Sequence, residues 1–351
     1  MPGQRVCHFL LPGDWHIPTG GYTYDRRLSL ALREHGWTVL PEVLEGAWPW
    51  PDDSDLSAAR ARIAALPDGA LVIADGLAFG ALARVVRPHA QRLRWVAHVH
   101  HPLHLETGLS AADSAHLRTA EAQALQLVRQ VVVPSRRTLD DVAALGVPPE
   151  RIAVVEPGTD PSLPPPPNPR RDGPVQLLCV ATLTPRKGHA LLLKALASLT
   201  PLPWVLHLVG SAERDPGTAA RLQALAAPLG ERVVWHGELP GPALRAHYLA
   251  ADVFVLPSLY EGYGMVIAEA IAHGLPVVTT DGGALAHTLP PGAGLQAPAG
   301  DGPALRAALE RVLADAGLRE RLGAGAREAA AALSTWPQQA ARYAAVLEAM
   351  A

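Results

Sequence analysis

At 351 residues the chain is too long for one ordinary hydrophobic core and suits two domains of common size. Hydrophobic residues make up 49% and aromatics 5%, so the core must be built mainly from Ala, Leu and Val. A formal net charge of −3 excludes a general polyanion binder, because nucleic-acid affinity rests on clustered positive charge.

Short β-rich runs alternate with longer segments of helical period. The predicted strands are Val6–Leu11, Ala70–Ala74, Arg94–Val99, Gln130–Val133, Ile152–Val155, Val175–Val180, Trp204–Val209, Arg232–Trp235, Val253–Leu256 and Pro276–Thr279. Predicted helices lie between most of them: Tyr24–His35, Ala78–Val86, Ala112–Leu127, Arg136–Ala144, His189–Ser198, Gly217–Ala227, Gly241–Leu249, Met265–Ala272 and Pro303–Ala314. Alternating βα units with near-continuous apolar strands point to an α/β fold of doubly wound parallel sheets, buried on both faces.

The pattern breaks at residues 160–174, DPSLPPPPNPRRDGP, where proline forbids ladder bonding and favours an extended connector. The expected organisation is a Rossmann-like domain at 1–165, a Pro-rich linker at 166–174, and a second Rossmann-like domain at 175–335. Trp336-Pro337 interrupts a helical stretch, and residues 336–351 read as a terminal helix packing back toward the first domain. Cys7 and Cys179 lie far apart in apolar runs and fit neither a disulfide framework nor a zinc knuckle. The Val6–Leu11 stretch is too short for a signal-peptide core, and no run approaches 18 apolar residues, so the expected location is cytoplasmic.

Open α/β sheets bind ligands beyond the carboxyl ends of their strands, so motifs at those ends matter most. The most specific is Glu261-Gly-Tyr-Gly-Met-Val-Ile-Ala-Glu269, which follows the strand VFVLPS and opens a helix. The amides of Gly264, Met265 and Val266 sit at a helix N-terminus, a natural anion site. Glu261 lies just before that helix and Glu269 about one turn into it. Taken singly, the first is equally readable as an N-terminal cap and the second as a solvated helix residue.

Together they carry a family likeness. EGYGMVIAEAIAHGLPVVTTDGG resembles the Glu-x7-Glu signature of retaining GT-B glycosyltransferases of family 4 (glycosyl transferases group 1). TGGYTYDRRLSLALREHGWTV is similar to that family's N-terminal glycine loop and first helix, HVHHPLHLETGL to its histidine segment, VVVPSRRTLDDVAALGVPPERIAVVEPGTD to the stretch closing its first domain, and LTPRKGHALLLKAL to its lysine-bearing loop. The resemblance implies two facing Rossmann-like domains with a deep interdomain cleft. It implies sugar transfer from a nucleotide diphosphate sugar with retention and without metal or other cofactor, and UDP-glucose is the donor it suggests first. It assigns Glu269 to the ribose hydroxyls, Glu261 to the transferred sugar and diphosphate, and the amides of Gly264, Met265 and Val266 to the phosphates.

Arg186 and Lys187 precede the helix starting near His189, where cations would neutralise a departing diphosphate. The only lysines are Lys187 and Lys194, which sets Lys187 apart in an arginine-rich chain. The chain departs from the family in placing Thr182 where an arginine is usual, about five residues before the lysine, and Arg186 is the candidate replacement. Gly20 and Gly21, beyond the first strand and before a helix, allow backbone to approach a phosphate or sugar closely. They form no dinucleotide fingerprint; Gly292-Ala-Gly294-Leu-Gln-Ala297, the one string of that shape, runs into Pro298.

His98, His100, His101 and His104 cluster at and just after the end of the third predicted strand, Arg94–Val99. His98 and His100 share a strand face, and with Glu106 they are a conceivable metal set, weighed against a packed His98 and a His100 that the family places near the transferred sugar. The expectation is no metal. The run Arg84, Arg87, Arg92 and Arg94 is weighed as a membrane-docking patch against a solvated face, and docking is not favoured. The acceptor, a small molecule, glycan or lipid, is left open. The competing readings are a nucleotide-sugar epimerase of the same fold and a non-catalytic nucleotide-sugar-binding protein.

Overall fold

The computed structural model describes residues 5–162 and 173–350. The chain divides into two compact units: residues up to Gly158 together with Ser334 onward, and Thr159–Leu333. The linker expected at 166–174 falls largely outside the described residues, as do the expected boundary at 165 and the last residue, Ala351.

Unit 1 is a six-stranded parallel sheet: β1 Arg5–Pro12, β2 Trp37–Leu44, β3 Leu71–Asp75, β4 Arg94–His98, β5 Gln130–Val133 and β6 Ile152–Val154. Its order is β2-β1-β3-β4-β5-β6. The helices are α1 Gly20–Glu34, α2 Asp53–Ala65, α3 Gly76–Phe79, α4 Ala83–Val86, α5 Ala111–Leu125 and α6 Arg136–Ala143. Unit 2 holds β7 Val175–Val180, β8 Trp204–Val209, β9 Val233–Gly237, β10 Val253–Leu256, β11 Val277–Thr280 and β12 Gly294–Ala297, in the order β12-β11-β10-β7-β8-β9. Its helices are α7 His189–Ala197, α8 Pro216–Ala226, α9 Gly241–Ala250, α10 Met265–Ala272, α11 Leu285–Thr288, α12 Gly302–Ala314 and α13 Ala316–Ala330. The final helix, α14 Trp336–Glu348, packs against α1 in unit 1.

Two Rossmann-like, doubly wound parallel sheets are thus present as the alternating pattern predicts. The central strands are buried throughout, as in LVIAD of β3 and VFVL of β10, because helices cover both faces. Truncating one of these side chains, such as Leu256, is expected to cost about 2–5 kcal/mol.

Several elements differ from the periodicity reading. β2 is an edge strand containing Pro41, which such a position tolerates, and its mixed exposure blurs the signal. β12 is likewise an edge strand, short and beginning at Gly294. α2 was not apparent because it buries only Ala59 and Ile63; a reciprocal Asp52–Asp55 capping box secures its start. The helix predicted at 78–86 is broken into α3, a 3-10 turn at Gly80–Leu82, and α4. Trp336-Pro337 does not interrupt a helix: α13 ends at Ala330, and Pro337 sits in the first turn of α14, where its missing N–H costs nothing. Among the described residues no helix is long and apolar enough to cross a membrane.

Candidate functional site

In each unit the strand order reverses beside the first strand, between β1 and β3 in unit 1 and between β7 and β10 in unit 2. Loops leaving those strands open the crevice where such sheets bind ligands. Both crevices hold a cluster of charge.

In unit 2, the loop after β7 carries Arg186 and Lys187, and the loop after β10 carries Glu261. Gly188 ends the first loop at φ 71°, and a Cβ there would stand 2.0 Å from the Pro257 carbonyl oxygen. Only glycine lets the two loops lie this close. The Leu259 amide donates to the Arg186 carbonyl at 2.7 Å, which pins them together. Lys187 Nζ then reaches Glu261 Oε1 at 2.6 Å, and Arg186 Nη1 reaches Glu261 Oε2 at 3.2 Å and the Tyr260 carbonyl at 2.8 Å. Ser258 Oγ donates to Glu261 Oε1 at 2.6 Å. Burial works to raise the Glu261 pKa. The Lys187 and Arg186 charges, with the Lys187 and Ser258 hydrogen bonds, outweigh it and hold the carboxyl down at about 2. Two cations against one carboxylate leave one net positive charge at the mouth of the crevice.

α10 begins beside this cluster. Gly264 caps it at φ 92° without a side-chain hydrogen bond, and the amides of Gly264, Met265 and Val266 have no acceptor among the described residues. Glu269, on the second turn, accepts from the Tyr248 hydroxyl of α9 at 2.8 Å through Oε2. Burial first, then the Glu269 charge, push the Tyr248 pKa well above its ordinary value, so the hydroxyl remains a donor. The cations of the β7 loop thus meet Glu261, and the unpaired amides and the half-buried Glu269 follow along the β10 loop and α10.

In unit 1, Thr19 caps α1, its side chain accepting from the Tyr22 amide. Gly20 and Gly21 are consequently the first residues of α1 and not part of a loop before it. Gly20 is open to its surroundings, whereas a Cβ at Gly21 would stand 3.1 Å from Cδ2 of His100. His100 Nε2 lies 3.2 Å from Asp25 Oδ1 and 3.2 Å from Asp75 Oδ2. Asp25 comes from α1 and Asp75 from the end of β3, both nearly or fully buried. Burial would lower the His100 pKa, but the Asp25 charge and hydrogen bonds to both carboxylates raise it to about 10. Burial also raises Asp25, to about 7, against the pull of His100. Asp75 is held below its ordinary value because the His100 hydrogen bond and charge outweigh its burial.

His98 is fully buried, its pKa driven well down by burial and by His100. The Tyr343 hydroxyl of α14 meets His98 Nδ1 at 3.2 Å, so the C-terminal helix completes this cluster. Glu121, nearly buried, accepts from the Leu103 amide at 2.9 Å and braces the loop after β4. His101 pairs with Glu106 at 3.4 Å, so Glu106 does not join His98 and His100; Asp25 takes that place. Of the basic run, Arg92 donates to the Leu66, Ile63 and Ala64 carbonyls and Arg94 to those of Gly69 and Met350, which leaves only Arg84 and Arg87 outward-facing.

The sequence reading missed Asp25, Asp75 and Tyr343. Asp25 had a signal: a carboxylate on the apolar face of α1, in line with Leu28 and Leu32. Asp75 also had one, as an acidic residue ending an otherwise apolar strand at the switch point.

The family model for glycosyl transferases group 1 matches residues 165–329, and that for glycosyltransferase family 4 matches residues 21–163. The chain is 32% identical to an MMP alpha-(1->4)-mannosyltransferase of Mycolicibacterium hassiacum over 72% of this chain and 64% of that protein. It is 33% identical to a D-inositol 3-phosphate glycosyltransferase of Xylanimonas cellulosilytica over 63% of this chain and 57% of that protein. The matches thus span less than two thirds of either relative's length. In solved structures, the sucrose-phosphate synthase of Thermosynechococcus elongatus superposes with a TM-score of 0.82 at 24% identity, covering 99% of each chain.

Proposed function

The chain belongs to the group 1, family 4 glycosyltransferases and has their GT-B fold, and from that premise we propose that it transfers a hexosyl group from a nucleotide diphosphate sugar to an acceptor. The observation that carries this reading is the convergence of Arg186 and Lys187 on Glu261, beside the unpaired amides that open α10. A leaving nucleoside diphosphate gains negative charge as the glycosidic bond breaks, and preorganised cations and amides stabilise that charge more than they stabilise the ground state.

In this reading Glu261 is a positioning carboxylate. Both of its oxygens are engaged by protein donors, so it aims Lys187 and Arg186 at the diphosphate and keeps two cations close without repulsion. Arg186 then does the work of the arginine that Thr182 replaces. Glu269 binds the ribose hydroxyls and Gly264, Met265 and Val266 the phosphates, as in the family pattern. In unit 1, His100 and the open first turn of α1 at Gly20 and Gly21 serve the sugar. The two carboxylates around His100 keep it protonated, a donor to a sugar hydroxyl rather than a general base. Retention follows if the leaving phosphate itself takes the acceptor proton on the same face, with the glycosyl C–O bond to phosphate breaking as the C–O bond to acceptor forms. Since the diphosphate is held by side-chain cations and amides, no divalent ion is required.

Release of nucleoside diphosphate tests this. UDP-glucose heads the donor panel, followed by GDP-mannose, each with excess EDTA and with or without sugar, inositol phosphate and lipid acceptors. Acceptor-dependent release with a retained anomeric configuration is expected. Interconversion of the nucleotide sugar without release would instead make the protein an epimerase. Activity lost in EDTA and restored by one divalent ion would overturn the metal-free reading.

A further inference from the structure

Away from the crevice, unit 2 gathers three imidazoles that no motif announced. His207 lies on β8, His236 on β9 and His247 on α9. One ring nitrogen from each stands within 4.8 Å of the other two. His207 Nδ1 and His236 Nε2 are 2.9 Å apart, and the rings of His236 and His247 are 4.2 Å apart between centroids. His207 pairs with Val234, so His236, two residues further along β9, shares its face of the sheet, and a register shift there leaves His236 without a partner on β8: Leu208 pairs with Trp235 and Val209 with Gly237.

The hydrogen bonds around His207 fix which of its nitrogens is free. Gln176 Nε2 donates to the Pro174 carbonyl at 2.8 Å, which turns its Oε1 toward His207 Nε2 at 2.9 Å. That oxygen can only accept, so His207 Nε2 carries the hydrogen and Nδ1 presents a bare lone pair to His236. A ligating histidine held by its other nitrogen against an oxygen is the usual supporting arrangement at a metal. A cavity of about 290 Å³, lined by His207, His247, Gln176 and Leu178 among others, adjoins the cluster and leaves room for an ion and its water. The three residues are neither fully buried nor fully exposed.

We propose that His207, His236 and His247 form a binding site for a divalent transition-metal ion, with Zn²⁺ as its best-matched occupant. Three imidazoles and one open position suit a four-coordinate ion, and the absence of a carboxylate from the set favours zinc, copper or nickel over calcium or magnesium. Two nitrogens about 2.0–2.1 Å from a tetrahedral ion stand about 3.3 Å apart, so the His207–His236 pair need open only slightly from its 2.9 Å separation. The ion joins β8, β9 and α9 and acts on the stability of unit 2, not on sugar transfer, so it is compatible with transfer in EDTA.

Calorimetric titration of the untagged full chain with ZnCl₂ in a non-chelating buffer tests the proposal. One Zn²⁺ per chain is expected, with affinity falling at least about tenfold in His236→Gln and His247→Ala and about tenfold in Gln176→Leu. Co²⁺ should give the strong visible absorption of a four-coordinate ion in the wild type and lose it in His236→Gln. Melting of the metal-free variants separates lost ligation from misfolding, since both should melt close to the metal-free wild type. No stoichiometric binding, or binding that survives these substitutions but disappears in His98→Gln, would overturn the proposal and in the second case move the ion to unit 1. Transfer activity is a separate readout, so failure here leaves the glycosyltransferase reading standing.

Discussion

The two switch-point clusters occupy equivalent places in their sheets yet carry opposite charge. In unit 2, two cations share one carboxylate, Lys187 and Arg186 on Glu261. In unit 1, two carboxylates share one imidazole, Asp25 and Asp75 on His100. One arrangement leaves positive charge for an anion. The other consumes the positive charge of His100 internally and leaves a polar surface suited to hydroxyls. Topology therefore supplies the crevice, and the residues at the strand ends decide what it binds.

The largest effect that would break this contrast is on turnover. Lys187→Ala should lower kcat by about a hundredfold or more, the scale of losing one preorganised stabiliser of developing charge. Arg186→Ala should cost less, because its Nη1 is shared between the Tyr260 carbonyl and Glu261 at a longer 3.2 Å. Steady-state kinetics with the best donor checks both. Near-normal turnover in Lys187→Ala would mean that the cationic cluster serves the fold alone.

Stability against pH sharpens the contrast. Glu261 is held at about 2, below its ordinary 4.5, so its contribution is full above 4.5 and is lost as pH falls toward 2. The shift corresponds to about 3 kcal/mol. The gap in unfolding free energy between wild type and Glu261→Gln should therefore be largest near neutrality and close in acid, measured by urea unfolding from pH 7 downward. His100 runs the other way. Its pKa is raised to about 10 from 6.5, so its stabilisation is full below 6.5 and is lost as pH rises through 10. The gap between wild type and His100→Gln should shrink on the alkaline side. If both gaps move with pH in the same direction, the two clusters are not opposite in kind.

How much of this was readable in advance differs between the two clusters for a physical reason. The unit 2 cluster is nearly local: Ser258, Tyr260, Glu261, Gly264 and Glu269 fall within one loop and helix, and Arg186 and Lys187 are adjacent. The unit 1 cluster draws Asp25 from α1, Asp75 from β3, His98 and His100 from β4 and the loop after it, and Tyr343 from α14. Only the folded topology brings these together, so the histidines stood out while their carboxylates did not. The same distinction holds for the fold. Gln130–Val133 and Val175–Val180 were read to the residue because both faces of those strands are buried. The edge strand β2, interrupted by Pro41, carries no such pattern. The histidine trio of β8, β9 and α9 was invisible because its members stand 29 and 11 residues apart, and only the pairing of β8 with β9 and the packing of α9 bring them together.

The smallest expected effect probes the assignment of Glu269. Its Oε2 accepts the Tyr248 hydroxyl, which helps to hold the carboxylate that the proposed complex sets against the ribose. Glu269→Ala removes both ribose contacts and should weaken binding of a free nucleoside diphosphate by about ten- to a hundredfold, the range for hydrogen bonds to a charged group. Tyr248→Phe removes one donor to Glu269 and leaves the carboxylate itself. The ring stays packed between Phe254 and His273, so folding should be little disturbed. Affinity for the diphosphate should fall by about three- to tenfold, near the net worth of one hydrogen bond, with kcat unchanged. Calorimetry with free diphosphate reads this directly. A Tyr248→Phe loss as large as that of Glu269→Ala would show that the hydroxyl itself touches the nucleotide. No loss in either variant would detach Glu269 from the ribose and leave the nucleotide held by Lys187, Arg186 and the α10 amides alone.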